Sequence, residues 1–320
     1  FTILANLYCY YPFISLYIAL MYFSVMKILT SISDVPELSK QCIRIRSESE
    51  LLEKINKIIN DGSKNLQIVT DFDHTLTRHH LDDGTTVLTS FGMFGACPSV
   101  PQHYKDEDRR LSEIYKPIET DPKMPVAEKT KHMVDWYIAG NNILKGLKFP
   151  RKELVAVGQS MADSFRIGVR ELIDWSAKKQ VPLLVFSAGL GECVVSALEG
   201  SNLLLPNVKV VSNFLAIDEN EVICGIEGEI IHTLNKNETA IKNTVYYDMV
   251  KSRSNVLVMG DNMGDAGMAE GMEHCNIVIK IGFLGKHLLN NLDNYLNIFD
   301  IVLIDDSTMD VANAILKMVL

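Results

Sequence analysis

The stretch Leu66-Gln67-Ile68-Val69-Thr70-Asp71-Phe72-Asp73-His74-Thr75 decides the fold. A short apolar run of strand type leads into two carboxylates separated by one residue. Open α/β sheets carry their sites at the carboxyl ends of strands, so Asp71 and Asp73 are expected at such an edge. Side chains two apart on an extended chain share a face. Carboxylates that close repel and desolvate badly without a cation. A hard divalent ion such as Mg²⁺ takes carboxylate, phosphate and water oxygens. Beside it, the first Asp can attack phosphorus. The second can protonate a leaving oxygen and later activate water. A bare Asp-x-Asp is more simply a solvated turn or a helix cap. The apolar strand before it, with Thr75 and Thr77 after it, favours the chemical reading.

Upstream, residues 47–61 read as a helix, with Leu51, Leu52, Ile55, Ile58 and Ile59 at helical spacing and Gly62 as its stop. Downstream, apolar runs of strand type occur at 181–186, 208–212, 255–259, 277–281 and 301–304, and a hairpin is expected around 221–231. Helical patterns lie between them at 191–199, 239–251 and 311–320. Strands alternating with helices imply a parallel sheet covered on both faces. Residues 81–179 break the alternation. Their helical segments, near 106–116, 126–144, 151–161 and 166–179, read as an insertion between the first two strands of the sheet.

Three further features lie after that insertion. Ser187-Ala188-Gly189 follows an apolar run, where a hydroxyl and backbone N–H groups make a cradle for phosphate oxygens. Alone it is an ordinary turn signal. Lys236 is a mobile point charge suited to a phosphate and a carboxylate, though a lone lysine is usually a surface residue. Gly260-Asp261-Asn262-Met263-Gly264-Asp265 ends another strand. Asp261 is a candidate metal ligand, and Asp265 would orient ligands or water from just outside. The spacing of a calcium-binding EF-hand loop is absent. A parallel sheet would bring all of these features to one edge.

Composition sets the background. The chain has 320 residues, 47% of them hydrophobic and 22% charged, which suits a globular protein with a sizeable core. A net charge of −9 argues against a polymeric nucleic acid partner, since such proteins carry a basic footprint. It leaves room for one small anionic substrate. The six cysteines form no paired motif, so reduced thiols in a cytoplasmic compartment are expected rather than disulfides or zinc. Residues 1–25 are apolar and without charge, long enough to span a bilayer. They read either as a membrane anchor or as an extension outside the working protein.

The order Asp-x-Asp-x-Thr, Ser, Lys, Gly-Asp-x-x-x-Asp resembles the haloacid dehalogenase superfamily, from about Ser47 to the C-terminus. Within it, residues 70–78, 186–189, 208–213, 231–236 and 258–265 resemble the cytosolic 5'-nucleotidase III family, which includes pyrimidine and 7-methylguanosine monophosphate nucleotidases. Residues 115–122 and 133–137 resemble that family's cap. The resemblance implies a Rossmann-like α/β fold with a parallel sheet, helices on both faces and an inserted helical cap. It implies a hydrolase core over 45–80 and 181–320 and the cap over 81–180; the apolar N-terminal segment, over 1–32, stands outside the resemblance. It further implies an Mg²⁺-dependent 5'-nucleotidase acting on CMP, UMP or 7-methyl-GMP. Asp71 would be the nucleophile and Asp73 the general acid/base. Asp71, the main-chain carbonyl of Asp73 and Asp261 would hold Mg²⁺. Ser187, Ala188 and Lys236 would bind the phosphate, and Glu119 the base. Trp136 would stack on the base or serve as cap core. Gly140 departs from the family's frequent serine, which leaves the base preference open. His74 receives no role. Two alternatives stand beside this reading: a related phosphatase for another small phosphomonoester, and a membrane-tethered or partner-binding protein with a vestigial core.

Overall fold

The computed structural model describes residues 28–237, 241–242, 244–272 and 274–319. The apolar segment expected over 1–25 lies outside them, as does part of the helix expected over 239–251. Among the described residues, no helix is long and apolar enough to cross a membrane.

The elements follow in this order: β1 (Ile43–Ile45), α1 (Glu48–Asp61), β2 (Leu66–Thr70), α2 (Ser90–Ala96), α3 (Gln102–Thr120), α4 (Val126–Leu144), α5 (Arg151–Ser160), α6 (Val169–Lys178), β3 (Leu183–Leu190), α7 (Gly191–Gly200), β4 (Val208–Asn213), β5 (Leu215–Ile217), β6 (Ile223–Ile226), α8 (Val245–Val250), β7 (Asn255–Gly260), β8 (Ile277–Leu284), α9 (Leu292–Ile298), β9 (Ile301–Ile304) and α10 (Asp310–Met318).

The main sheet has seven strands in the order β1-β9-β8-β7-β2-β3-β4. All neighbours pair in parallel except β1, which runs antiparallel along the β9 edge with Ile43 opposite Leu303. The parallel sheet expected from the alternation is therefore closed on one side by a short antiparallel strand. Three residues are too few to carry a period, so nothing announced it. Strands β2, β3 and β7 are buried along their whole length. Continuous burial is what two helical layers over a parallel sheet produce, and it explains why these strands read as unbroken apolar runs.

Helix α1 shows how local sequence sets an element. The Ser47 hydroxyl accepts from the Glu50 N–H at the amino end, and Glu48 and Glu50 sit in the positive first turn. Leu51, Ile55, Ile58 and Ile59 form the buried stripe. Gly62 stops the helix at φ 74°, a value that favours glycine.

The residues between β2 and β3 are largely helical. Helices α3 and α4 pack along each other, whereas α5 packs on α7. Helix α6 lies against α10: the Asn313 amide donates to the Gly168 carbonyl at 2.9 Å, and the Met309 N–H to the Ile167 carbonyl at 2.9 Å. The expected hairpin is β5–β6, beginning earlier than its composition suggested. It ties to α4, where the Asn141 side chain accepts from the Ile226 N–H at 2.9 Å.

Candidate active site

The β2 strand hands its last backbone pairing to the first acid: the Asp71 N–H donates to the Met259 carbonyl on β7 at 2.9 Å. Immediately afterwards the chain winds tightly. The Phe72 carbonyl accepts from the amides of Thr75, Leu76 and Thr77, and Phe72 itself is fully buried. His74 takes φ 60° in this loop. The turn sends the two acids to different partners within one cavity. Asp71 accepts from Lys236 Nζ at 2.6 Å. Asp73 accepts from the Ser90 N–H at 2.8 Å and the Ser90 hydroxyl at 2.7 Å.

Strand β3 runs on through Ser187-Ala188-Gly189, with its register against β4 shifting after Phe186. The Ser187 hydroxyl oxygen accepts from the Gly189 N–H at 3.0 Å, which leaves its own proton to donate elsewhere. Gly189 is required by space: a Cβ there would lie 1.8 Å from Ser90 Oγ and 3.1 Å from Asp73 Oδ2. Asn213, at the end of β4, then ties three strands of chain together. Its amide donates to the carbonyls of Ala188 (2.8 Å) and Ile231 (2.7 Å), and its carbonyl accepts from the Ile231 N–H (2.8 Å).

Ile231 opens the loop that carries Lys236. There the Asn235 side chain closes a turn, accepting from the His232 N–H and donating to the Ile230 carbonyl. Lys236 is buried, with Nζ 2.6 Å from Asp71 and 2.8 Å from Asp265. The loop after β7 meets it closely, since a Cβ on Gly264 would fall 2.3 Å from the Thr233 carbonyl oxygen. Within that loop the Asn262 N–H donates to Asp265 at 2.9 Å. Tyr295 on α9 donates to the Asp261 carbonyl at 2.6 Å.

These pieces bring Asp71, Asp261 and Asp265 together, each with a carboxylate oxygen within 4.8 Å of the others. Lys236 balances only part of that charge. Burial pushes the Asp261 carboxyl well above its ordinary range, with the charges of Asp71 and Asp265 adding to it. Burial likewise raises Asp265 to about 6 and raises Asp71, in both cases against the pull of Lys236. The lysine, although buried, is held above its usual value by the two acids. Oxygen donors, crowding and uncompensated negative charge fit a hard divalent cation of the magnesium class. Asp73 points its carboxylate at Ser90, so its main-chain carbonyl is the part left for such an ion. Burial raises the Asp73 carboxyl also, opposed by both Ser90 hydrogen bonds.

The acids form the floor of a cavity of about 260 Å³ whose walls include Glu119, Trp136, Tyr137 and Gly140 from the inserted helices, with Ser187 and Ala188 from β3. Burial raises the Glu119 carboxyl, the neighbouring Thr233 hydroxyl opposing. Its main-chain carbonyl accepts from Lys129 Nζ at 2.9 Å, which secures the end of α3. Trp136 stacks on Tyr115 at 5.7 Å and 11°, and meets Tyr137 edge-on at 6.0 Å. The space over Gly140 is open, with nothing within 4 Å of an added Cβ.

Sequence reasoning did not find Ser90, Asn213 or Arg166. The Arg166 guanidinium is buried and donates to the carbonyls of Thr75 (2.8 Å), His74 (2.6 Å) and Ser307 (2.9 Å), with its carbon 4.4 Å over the Phe283 ring. It thus fixes the loop that follows the two acids. The one available signal was a basic residue two positions before Gly168, at the start of an expected helix.

Residues 74–320 match the model of the family described as pyrimidine 5'-nucleotidase (UMPH-1). The chain is 41% identical over 289 residues to the 7-methylguanosine phosphate-specific 5'-nucleotidase of Drosophila melanogaster, covering 90% of each chain. It is 30% identical to that of Homo sapiens, covering 90% of this chain and 95% of the human one. Among solved structures it is similar to cytosolic 5'-nucleotidase IIIB bound to cytidine, with a TM-score of 0.86 and 40% identity over 91% of this chain and 97% of that one.

Proposed function

Since the chain belongs to the pyrimidine 5'-nucleotidase (UMPH-1) family and is a 5'-nucleotidase, we propose that it hydrolyses CMP, UMP or 7-methyl-GMP to nucleoside and phosphate through an aspartyl-phosphate on Asp71. The observation that carries this reading is the buried Asp71–Lys236–Asp265 linkage beside Asp261 on the cavity floor. Asp71, Asp261 and the main-chain carbonyl of Asp73 would hold Mg²⁺, with Asp265 orienting Lys236. When bound, the cation neutralises charge on the phosphoryl group.

The residues divide the work as follows. Lys236 holds the Asp71 carboxylate oriented and adds positive charge where negative charge develops. The Asp71 oxygen bonds to phosphorus as the bond from phosphorus to the 5'-oxygen breaks. Asp73, raised by burial and held by Ser90, donates its proton to that leaving oxygen. In the second half it takes a proton from the water that attacks the aspartyl-phosphate. The Ser187 hydroxyl and the backbone at Ala188 bind the phosphate oxygens, and Glu119 accepts N–H groups from the base edge. Residues 81–180 act as the cap over a core of 45–80 and 181–320, closing the site from bulk water. The names of the relatives point to 7-methylguanosine phosphate, and the bound cytidine of the structural neighbour to pyrimidines. A further relative is named a putative cytosolic 5'-nucleotidase, in keeping with a cytoplasmic enzyme.

Phosphate release should be measured with CMP, UMP and 7-methyl-GMP, each with and without Mg²⁺. Mg²⁺-dependent release from at least one is expected. Silence from all three sinks the proposal.

A further inference from the structure

Beside the acidic pocket the chain gathers imidazoles that the nucleotidase chemistry does not use. His79, in the loop after β2, is only 8% exposed. The His74 ring stacks on it at 4.3 Å and 13°, the His287 ring meets it edge-on at 5.6 Å, and His80 lies 6.4 Å away. His79 Nε2 is buried and has no hydrogen-bond partner. A buried ring nitrogen in that state is costly and marks a place where a ligand would be welcome.

Gly285 marks where two of these rings converge. A Cβ there would stand 2.9 Å from His287 Nδ1 and 3.1 Å from His79 Nε2. The Gly285 backbone sits at φ −60° and ψ 148°, a conformation open to any residue. Glycine is therefore not needed for the turn; it is needed because the two rings close on this backbone, which brings both nitrogens to one point. The Asp306 carboxylate accepts from the main-chain N–H groups of His79 (2.6 Å) and His80 (2.9 Å), so the loop that presents His79 is anchored. His287 is exposed, which gives an ion a way in from solvent.

We propose that His79 and His287 form a binding site for a borderline divalent transition ion of the zinc class, with water completing the coordination. Imidazole donors suit zinc, nickel and copper, whereas an all-carboxylate set suits magnesium. The two sites therefore select different ions. Burial holds His79 down to about 3, so the imidazole is neutral and ready to coordinate at any physiological pH. The inference does not rest on the nucleotidase reading, because it uses none of the residues that reading uses.

The test uses the full chain carrying Cys224→Ser, which removes a competing exposed thiol, in Mg²⁺ sufficient to fill the carboxylate site. Zinc titration by calorimetry should show one equivalent bound. Copper(II) in the same protein should show electron-paramagnetic coupling to two imidazole nitrogens. His287→Gln alters an exposed side chain, so the fold should persist. It should weaken zinc by about tenfold or more and leave at most one coupled nitrogen. Asp261→Asn should leave both readings unchanged. The proposal is overturned if the parent binds no zinc, if His287→Gln binds as tightly as the parent, or if Asp261→Asn removes the ion.

Discussion

Ser90 donates to Asp73 twice, through its amide and through its hydroxyl. Both bonds favour the ionised carboxylate and so oppose the upward push of burial. Removing the hydroxyl in Ser90→Ala leaves the amide and lets the Asp73 carboxyl climb further. A general acid works in its protonated form, so the alkaline limb of the kcat/KM profile should move to higher pH. Turnover should also fall about tenfold, since the acid loses half of its positioning. A limb that stays in place would separate Ser90 from Asp73. At this scale the sequence was readable where chemistry demands charge. Asp71, Asp73, Asp261 and Asp265 stand at strand ends, and Lys236 is a cation spaced among acids. Ser90, Asn213 and Arg166 went unread because a single hydroxyl, amide or guanidinium at the end of an element or in a loop carries no period. Their partners are backbone carbonyls or a side chain brought near only by folding.

Elements that bury a long stripe or a full strand were legible. Helix α4 occupies the span its apolar spacing implied, and β9 likewise. The short β1, α2 and α9 escaped, since three strand residues hold one and a half repeats of their pattern and seven helical residues about two turns. Of these, α2 matters most to the site, because it carries Ser90 against β3. Gly189 is the hinge of that contact: its missing Cβ is the room Ser90 occupies. Gly189→Ala should therefore push α2 outward rather than be absorbed. The expected cost is about 1–3 kcal/mol of stability from overpacking, read as a loss of a few degrees in melting temperature. Activity should fall by more than tenfold because Asp73 moves with Ser90. An alanine variant with full activity would show that α2 adjusts freely and that its packing on β3 does not hold Asp73.

For the molecule as a whole, three crowded acids make folding depend on what neutralises them. A cation that binds only the native state stabilises it by about 2.7 kcal/mol at a hundredfold excess over its dissociation constant. Mg²⁺ at pH 7 should accordingly raise the melting temperature by several degrees, and Asp261→Asn should lose most of that rise. An equal rise in both proteins would remove Asp261 from the cation site.

His79 sets a second global dependence, on acid. In the unfolded chain its imidazole titrates near 6.5, whereas in the fold burial holds it at about 3. Between those values the unfolded chain takes up a proton that the native protein refuses. The unfolded state then binds more protons, so stability falls as pH falls through that window. Above about 6.5 neither state is protonated there and the dependence vanishes. The slope is at most about 1.4 kcal/mol per pH unit, so roughly 2 kcal/mol should be lost between pH 7 and pH 5 on this account. Urea unfolding at the two pH values, with transition ions chelated, measures it. Chelation matters because an ion on the imidazole would also keep it unprotonated. In His79→Gln, which cannot take up that proton, the loss between pH 7 and pH 5 should shrink by about that amount. The same loss in variant and parent would assign the acid sensitivity to other groups.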